Sequence, residues 1–139
     1  MLDKLRSLFK PKMVQKHIKV LVIEDNEVDQ RLACAAIEYG GYTAFKASDG
    51  KSGFEQAKEH QPHLIILDYN LPDTKGPDLC KLLKAHMDTE KIPVLFLTSM
   101  TGPEHVINCF EGGENYLAKP ISIKMLSKQI DLMLKDVKK

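Results

Sequence analysis

The sequence has no apolar run approaching the roughly 18 residues of a membrane span, and no apolar segment with a small-residue cleavage site near its start. Neither a spanning helix nor a secretory signal is expected. Cysteine is scarce: Cys34, Cys80 and Cys109 are odd in number and lack the close pairs of a zinc site, so they read as reduced thiols of a cytoplasmic protein. The histidines are scattered without ligand spacing, and most of them, His60 and His63 included, read as surface residues. Repeats and low-complexity tracts are lacking too. Net charge is nearly absent, +1 at pH 7, which argues against direct nucleic-acid binding.

That small charge is unevenly spread. Residues 1–19 carry six Lys/Arg against one acid, or +5, which leaves −4 for the remainder. Within this leader Leu2, Leu5, Leu8 and Phe9 recur at helical spacing among Lys4, Arg6 and Lys10 as far as Pro11. A short basic amphipathic extension is predicted over residues 1–17, outside a main domain of residues 18–139. Its role is open between packing on the domain, dimerising, touching an anionic membrane and remaining a solvated arm. A chain of 139 residues, 43% hydrophobic and 28% charged, has the make-up of one ordinary globular domain.

What is present is an alternation. Short apolar, β-branched strands are predicted at 18–23, 42–47, 64–67, 92–97 and 116–118, because buried parallel strands read as continuous apolar runs. Helices fall between and after them. The first carries Val28, Leu32, Ala35, Ala36 and Tyr39 at helical intervals and closes at Gly40-Gly41. The second spans about 49–60, with Phe54 and Ala57 inward. The third, from Pro77 to about 87, places Leu79, Leu82, Leu83 and Met87 on one face. A short fourth helix is predicted at 103–111, closed by Gly112-Gly113. The last runs over 122–137, with Ile123, Leu126, Ile130, Met133 and Val137 inward and Met125 and Leu132 outward. Five strand–helix alternations imply right-handed crossovers and an α/β fold, a doubly wound parallel sheet flanked by five helices.

The chemistry gathers at the strand ends. The run Leu64-Ile65-Ile66-Leu67 stops at one carboxylate, Asp68, followed by the turn formers Asn70, Pro72, Asp73 and Gly76. Alone, Asp68 reads equally well as a turn residue and as a ligand. The other ends break the tie: Glu24-Asp25 after the first strand, Thr98-Ser99 after the fourth, Lys119-Pro120 after the fifth. If the strand order is 2-1-3-4-5, the first and third strands are neighbours where the winding reverses, the place where open α/β sheets bind ligands. Glu24, Asp25 and Asp68 would then meet. Two carboxylates about 4 Å apart repel by roughly 4 kcal/mol at an effective dielectric near 20, so three of them need protons or a cation. Magnesium suits an all-oxygen site, and without thiolate or imidazole zinc does not. With the Lys119 ammonium and the Thr98 hydroxyl, the set makes a cradle for a phosphoryl group, with Asp68 as acceptor.

The Glu24-Asp25 pair, the Asp68-Tyr69-Asn70-Leu71-Pro72 turn, Thr98 after an apolar strand, and Tyr116-Leu117-Ala118-Lys119-Pro120 occur in one order over about 18–137. On these motifs the chain resembles a response-regulator receiver domain of two-component signalling, similar to the bacterial chemotaxis regulator. The resemblance supplies the strand order 2-1-3-4-5 and a flavodoxin-like architecture. It implies that Asp68 is phosphorylated, that Glu24, Asp25 and Asp68 hold Mg2+ with the Asn70 backbone carbonyl, and that the Lys119–Pro120 peptide is cis. It implies a switch in which Thr98 follows the phosphoryl group and Tyr116 moves inward. The signal would leave through the face of the fourth helix, fifth strand and last helix. Asn70 and Met100 occupy positions that tune phosphate lifetime in the family, and Gly113 stands where alanine is often found.

The implied partners are a sensor histidine kinase or a histidine phosphotransfer protein upstream and a protein partner downstream. A monomer or a phosphorylation-dependent dimer is expected. The chain would catalyse only its own Mg-dependent phosphorylation and dephosphorylation. Its end just past the last helix suggests a stand-alone receiver or a piece cut from a longer protein. Two rivals remain. A haloacid-dehalogenase-like phosphohydrolase needs a second aspartate two residues after the nucleophile, where this chain has Asn70. A receiver-fold interaction module that no longer cycles phosphate would not need the full set of polar groups.

Overall fold

The computed structural model describes residues 14–99 and 115–137. The leader through residue 13, the segment 100–114 with the predicted fourth helix, Met100, Cys109 and Gly113, and the last two residues lie outside the described residues. The elements run in the order β1 (Lys19–Ile23), α1 (Glu27–Tyr39), β2 (Thr43–Ala47), α2 (Gly50–His60), β3 (Leu64–Asp68), α3 (Gly76–Ala85), β4 (Val94–Thr98), β5 (Asn115–Ala118) and α4 (Ile123–Met133). All strand pairings are parallel, in the order β2-β1-β3-β4-β5. Four of the five predicted helices are thus seen among the described residues.

Alternation along each central strand sorts the core into two layers. Val20, Val22, Leu64, Ile66, Leu95 and Leu97 face Ala33, Ala36 and Ile37 of α1 and Leu126 and Ile130 of α4. Leu21, Ile23, Ile65, Leu67, Val94 and Phe96 face Ala57 of α2 and Leu79 and Leu83 of α3. β3 and β4 are buried throughout, which is why their sequences show no polar alternation. Three helix starts carry side-chain caps: Asn26 accepts from the Asp29 N–H, Asp49 from Ser52, and Ser122 from Met125. α1 ends at Gly40, and the next residue, Gly41, takes φ 91°, which a side chain would disfavour.

The helix faces differ in detail from the apolar spacing. α1 buries Gln30, Ala33, Ala36 and Ile37, while Val28 and Tyr39 are exposed. Small alanines let the helix lie close to the sheet, and Gln30 is admitted because its amide donates to the Glu24 and Ala47 carbonyls at 2.9 and 3.2 Å. α3 buries Leu79 and Leu83 but exposes Leu82 and Met87, since it stops at Ala85 before Met87 can join its inner face. In α4, Leu126, Ile130 and then Leu134 are buried, whereas Ile123 and Val137 lie near the helix ends and are exposed. Met125 and Leu132 are exposed, as the spacing predicts. Cys34 and Cys80 are thiols that take part in no disulfide.

Two histidines depart from the surface reading. The His60 ring stacks on Phe45 with centroids 4.2 Å apart. Half-buried His63 accepts the Lys19 backbone N–H on Nδ1 at 3.1 Å, and its own N–H donates to the Lys19 carbonyl, so this residue ties β1 to the start of β3. Burial, reinforced by the Lys19 and His17 charges, lowers the His63 pKa from the ordinary 6.5. The folded value lies below the unfolded one, so the stability His63 contributes is complete above pH 6.5 and is lost as pH falls through the folded value. His63→Gln should therefore flatten the acid side of the stability curve. The check is a comparison of thermal melts of wild type and variant at pH 5 and pH 7.5, with the gap between the two proteins closing or inverting at the lower pH.

Candidate phosphoryl and metal site

The site lies at the carboxyl ends of β1 and β3, where β1 leads outward to β2 and the chain then returns to β3 on the other side. Glu24 immediately follows β1 and is wholly buried. It is fixed there: the Asn26 N–H donates to its Oε1 at 3.0 Å, and its backbone N–H donates to the Ala47 carbonyl at 3.0 Å. Asp25, next along the turn, is exposed. Asp68 ends β3 and is 6% exposed. One carboxylate oxygen from each of Glu24, Asp25 and Asp68 lies within 4.8 Å of the other two.

Lys119, just past β5, is the counter-charge. Its Nζ lies 3.0 Å from Glu24 Oε2, 3.1 Å from Asp29 Oδ2 and 3.5 Å from Asp68 Oδ1. Its backbone is held in place by its N–H, which donates to the Thr98 carbonyl at 2.8 Å; the following peptide to Pro120 is cis. Burial works against the Lys119 ammonium, but the Glu24, Asp29 and Asp68 carboxylates outweigh it and raise the pKa overall. Glu24 moves the other way from a free carboxyl: burial pushes it up to about 7, opposed by Lys119 and the Asn26 N–H and assisted by the Asp68 charge. The 3.0 Å contact to Lys119 is an ion pair rather than an aligned hydrogen bond, so Glu24 Oε2 is a buried oxygen with a lone pair unused. An all-oxygen donor set with such an oxygen fits a hard divalent cation.

Thr98 ends β4 and is 1% exposed, in register with Ala118 and one position beyond the Asp68–Leu97 pair. Tyr116 sits on β5 and is 36% exposed. Asn70 pairs with Lys75 across the turn after β3, and its side-chain oxygen accepts from Lys75 Nζ at 2.7 Å. The predicted residues Glu24, Asp25, Asp68 and Lys119 are therefore brought together, with Thr98 at the adjoining strand end.

Three contributors escape the sequence reading. Asp29, in the first turn of α1, adds a further carboxylate to Lys119 across the cleft, a contact that leaves no signal in the local sequence. Gln30 braces the Glu24 carbonyl, and a buried polar residue leaves no mark in apolar spacing. Asp73 accepts the Gly50 and Lys51 N–H groups at 2.7 and 3.0 Å, tying the turn after Asp68 to the start of α2. Those two N–H groups hold the Asp73 carboxyl below its ordinary value.

Comparison with known proteins identifies the family and agrees with the fold. The family model described as "Response regulator receiver domain" matches residues 20–131. A polar-differentiation response regulator, DivK, of Brucella anthropi is 36% identical over 120 residues, covering 84% of this chain and 96% of that protein. Among solved structures, the chemotaxis protein CheY4 of Vibrio cholerae is similar with a TM-score of 0.78 at 26% identity, covering 84% of this chain and 98% of the other. The Mn(2+)-bound form of response regulator Rcp1 is similar with a TM-score of 0.67 at 29% identity, covering 85% and 92%. The chain belongs to the response-regulator receiver domains of two-component signalling.

Proposed function

We propose that this receiver takes a phosphoryl group on Asp68 from a phosphohistidine, on a sensor histidine kinase or a histidine phosphotransfer protein, and passes the change to a downstream protein. The observation that carries this reading is the meeting of Glu24, Asp25 and Asp68 within 4.8 Å, faced by the Lys119 ammonium. Glu24, Asp25, Asp68 and the backbone carbonyl of Asn70 would hold Mg2+, which when bound neutralises charge on the phosphoryl oxygens and the acceptor. A relative of 29% identity has been solved in a Mn(2+)-bound form, in keeping with a divalent ion here.

An Asp68 carboxylate oxygen attacks phosphorus in line. The bond from phosphorus to the donor imidazole breaks, and its electron pair stays on the ring nitrogen. Lys119 supplies positive charge to the phosphoryl oxygens, and Thr98 offers its hydroxyl to the same group. The product is an aspartyl phosphate, with roughly −1.5 to −2 charge and three acceptor oxygens, later cleaved by water in the same site. The change then biases two packings of Thr98 and Tyr116 and is read at the face that contains β5 and α4. The partner need only present the donor, because the acceptor and charge-stabilising groups belong to this chain. A cytoplasmic setting suits such partners. By their charge, residues 1–17 are read as a basic extension to a receiver unit of 18–139.

The test incubates the protein with acetyl phosphate and magnesium and follows intact mass together with free phosphate. One phosphoryl adduct, with no turnover of unrelated phosphoesters, is the expected result. Broad release of phosphate from many esters would favour a phosphohydrolase, and no adduct at all would favour an interaction module that does not cycle phosphate.

A further inference from the structure

We propose that Asp29 is a positioning residue that acts through Lys119 and slows phosphoryl uptake, by holding the ammonium on a carboxylate that a metal ion does not neutralise. This rests on the phosphoacceptor reading of Asp68. The ammonium has three N–H donors. Three carboxylates surround it, at 3.0 Å for Glu24, 3.1 Å for Asp29 and 3.5 Å for Asp68. An incoming phosphoryl oxygen competes with these carboxylates for the ammonium.

The three partners are not equivalent. Glu24 and Asp68 belong, with Asp25, to the cluster whose oxygens converge on a single cation position. A divalent ion there absorbs their charge and weakens their hold on the lysine. Asp29 stands outside that cluster and keeps its full charge when the metal is present. It is also poorly able to follow the lysine. Its backbone N–H is fixed by Asn26 Oδ1 at 2.9 Å in the first turn of α1, its side chain is short, and the Lys119 side chain beside it is only 14% exposed. Asp29 therefore competes with the phosphoryl oxygens for the ammonium and adds a negative charge near an anionic donor. Its identity sets a rate while the chemistry remains with Asp68.

The experiment compares wild type, Asp29→Asn and Asp29→Glu. Asparagine keeps the shape and loses the charge; glutamate keeps the charge. The first readout is the initial rate of adduct formation from acetyl phosphate at saturating magnesium, where Asp29→Asn is expected to be about three- to tenfold faster, the effect of a modest ion pair on a barrier. Asp29→Glu is expected to stay near the wild-type rate. The second readout needs neither metal nor activity: the NMR order parameter of the Lys119 side-chain terminus in metal-free protein should fall in Asp29→Asn and not in Asp29→Glu. Thermal melts confirm that all three proteins are folded. An Asp29→Asn rate equal to or below wild type, or an unchanged Lys119 order parameter, overturns the proposal. Failure of wild type itself to form an adduct would instead sink the phosphoacceptor reading, so the two failures are distinguishable.

Discussion

Lys119→Met is expected to lower the stability of the metal-free protein by about 2–3 kcal/mol and to slow phosphoryl uptake on Asp68 by about 100-fold. Both effects have one origin. The ammonium is the counter-charge to wholly buried Glu24, to Asp29 and to Asp68, and its side chain is only 14% exposed. Methionine fills much of the same space but leaves those carboxylates facing one another. Removing one partner of a buried pair costs more than the pair contributes, because the remaining charge is stranded in a poorly solvated place. Magnesium should then restore more stability to the variant than to wild type, since the ion can substitute for the lost positive charge. Denaturant melts with and without magnesium, together with adduct formation from acetyl phosphate, provide the check.

Gly76→Ala should be nearly as damaging, for a steric reason. A Cβ at this position would stand 2.5 Å from the Asp68 carbonyl oxygen and 2.9 Å from the Tyr69 Cα. Both are backbone atoms and cannot swing aside. The Gly76 N–H also donates to the Tyr69 carbonyl at 2.6 Å, closing the turn tightly behind the acceptor. The substitution is expected to cost about 2–3 kcal/mol, as overpacking in a buried position does. It should also impair phosphorylation in the molecules that stay folded, because relief of the clash moves the backbone that carries Asp68. A variant that melts like wild type and takes up phosphate at the same rate would show that the turn has slack that these distances deny.

Much of the fold was legible because the central strands are buried on both faces. Ile65, Ile66 and Leu67, and Val94 to Leu97, have no solvent side, so their sequences are unbroken apolar runs with a polar residue at the end. The same contrast made Asp68 and Thr98 stand out. Helix faces were less legible. α1 packs through Ala33, Ala36, Ile37 and Gln30, whose amide satisfies the Glu24 and Ala47 carbonyls, while Val28 and Tyr39 face solvent. The strand order came from family resemblance, since parallel strands joined by helices permit several orders with the same pattern. Asp29 was hidden for a further reason. Its role depends on β5 bringing Lys119 across the cleft to α1, a meeting that no local spacing encodes. His63 likewise gained its partner from strand pairing, through the Lys19 backbone.

The most direct measurement locates the phosphoryl group. After incubation with acetyl phosphate and magnesium, borohydride reduction of the acyl phosphate followed by peptide mass mapping should find the modification at Asp68 alone, with none in magnesium-free samples or in Asp68→Asn. Modification spread over several carboxylates, or uptake that survives in Asp68→Asn and needs no divalent ion, would contradict the assignment of this crevice as the site of phosphoryl transfer.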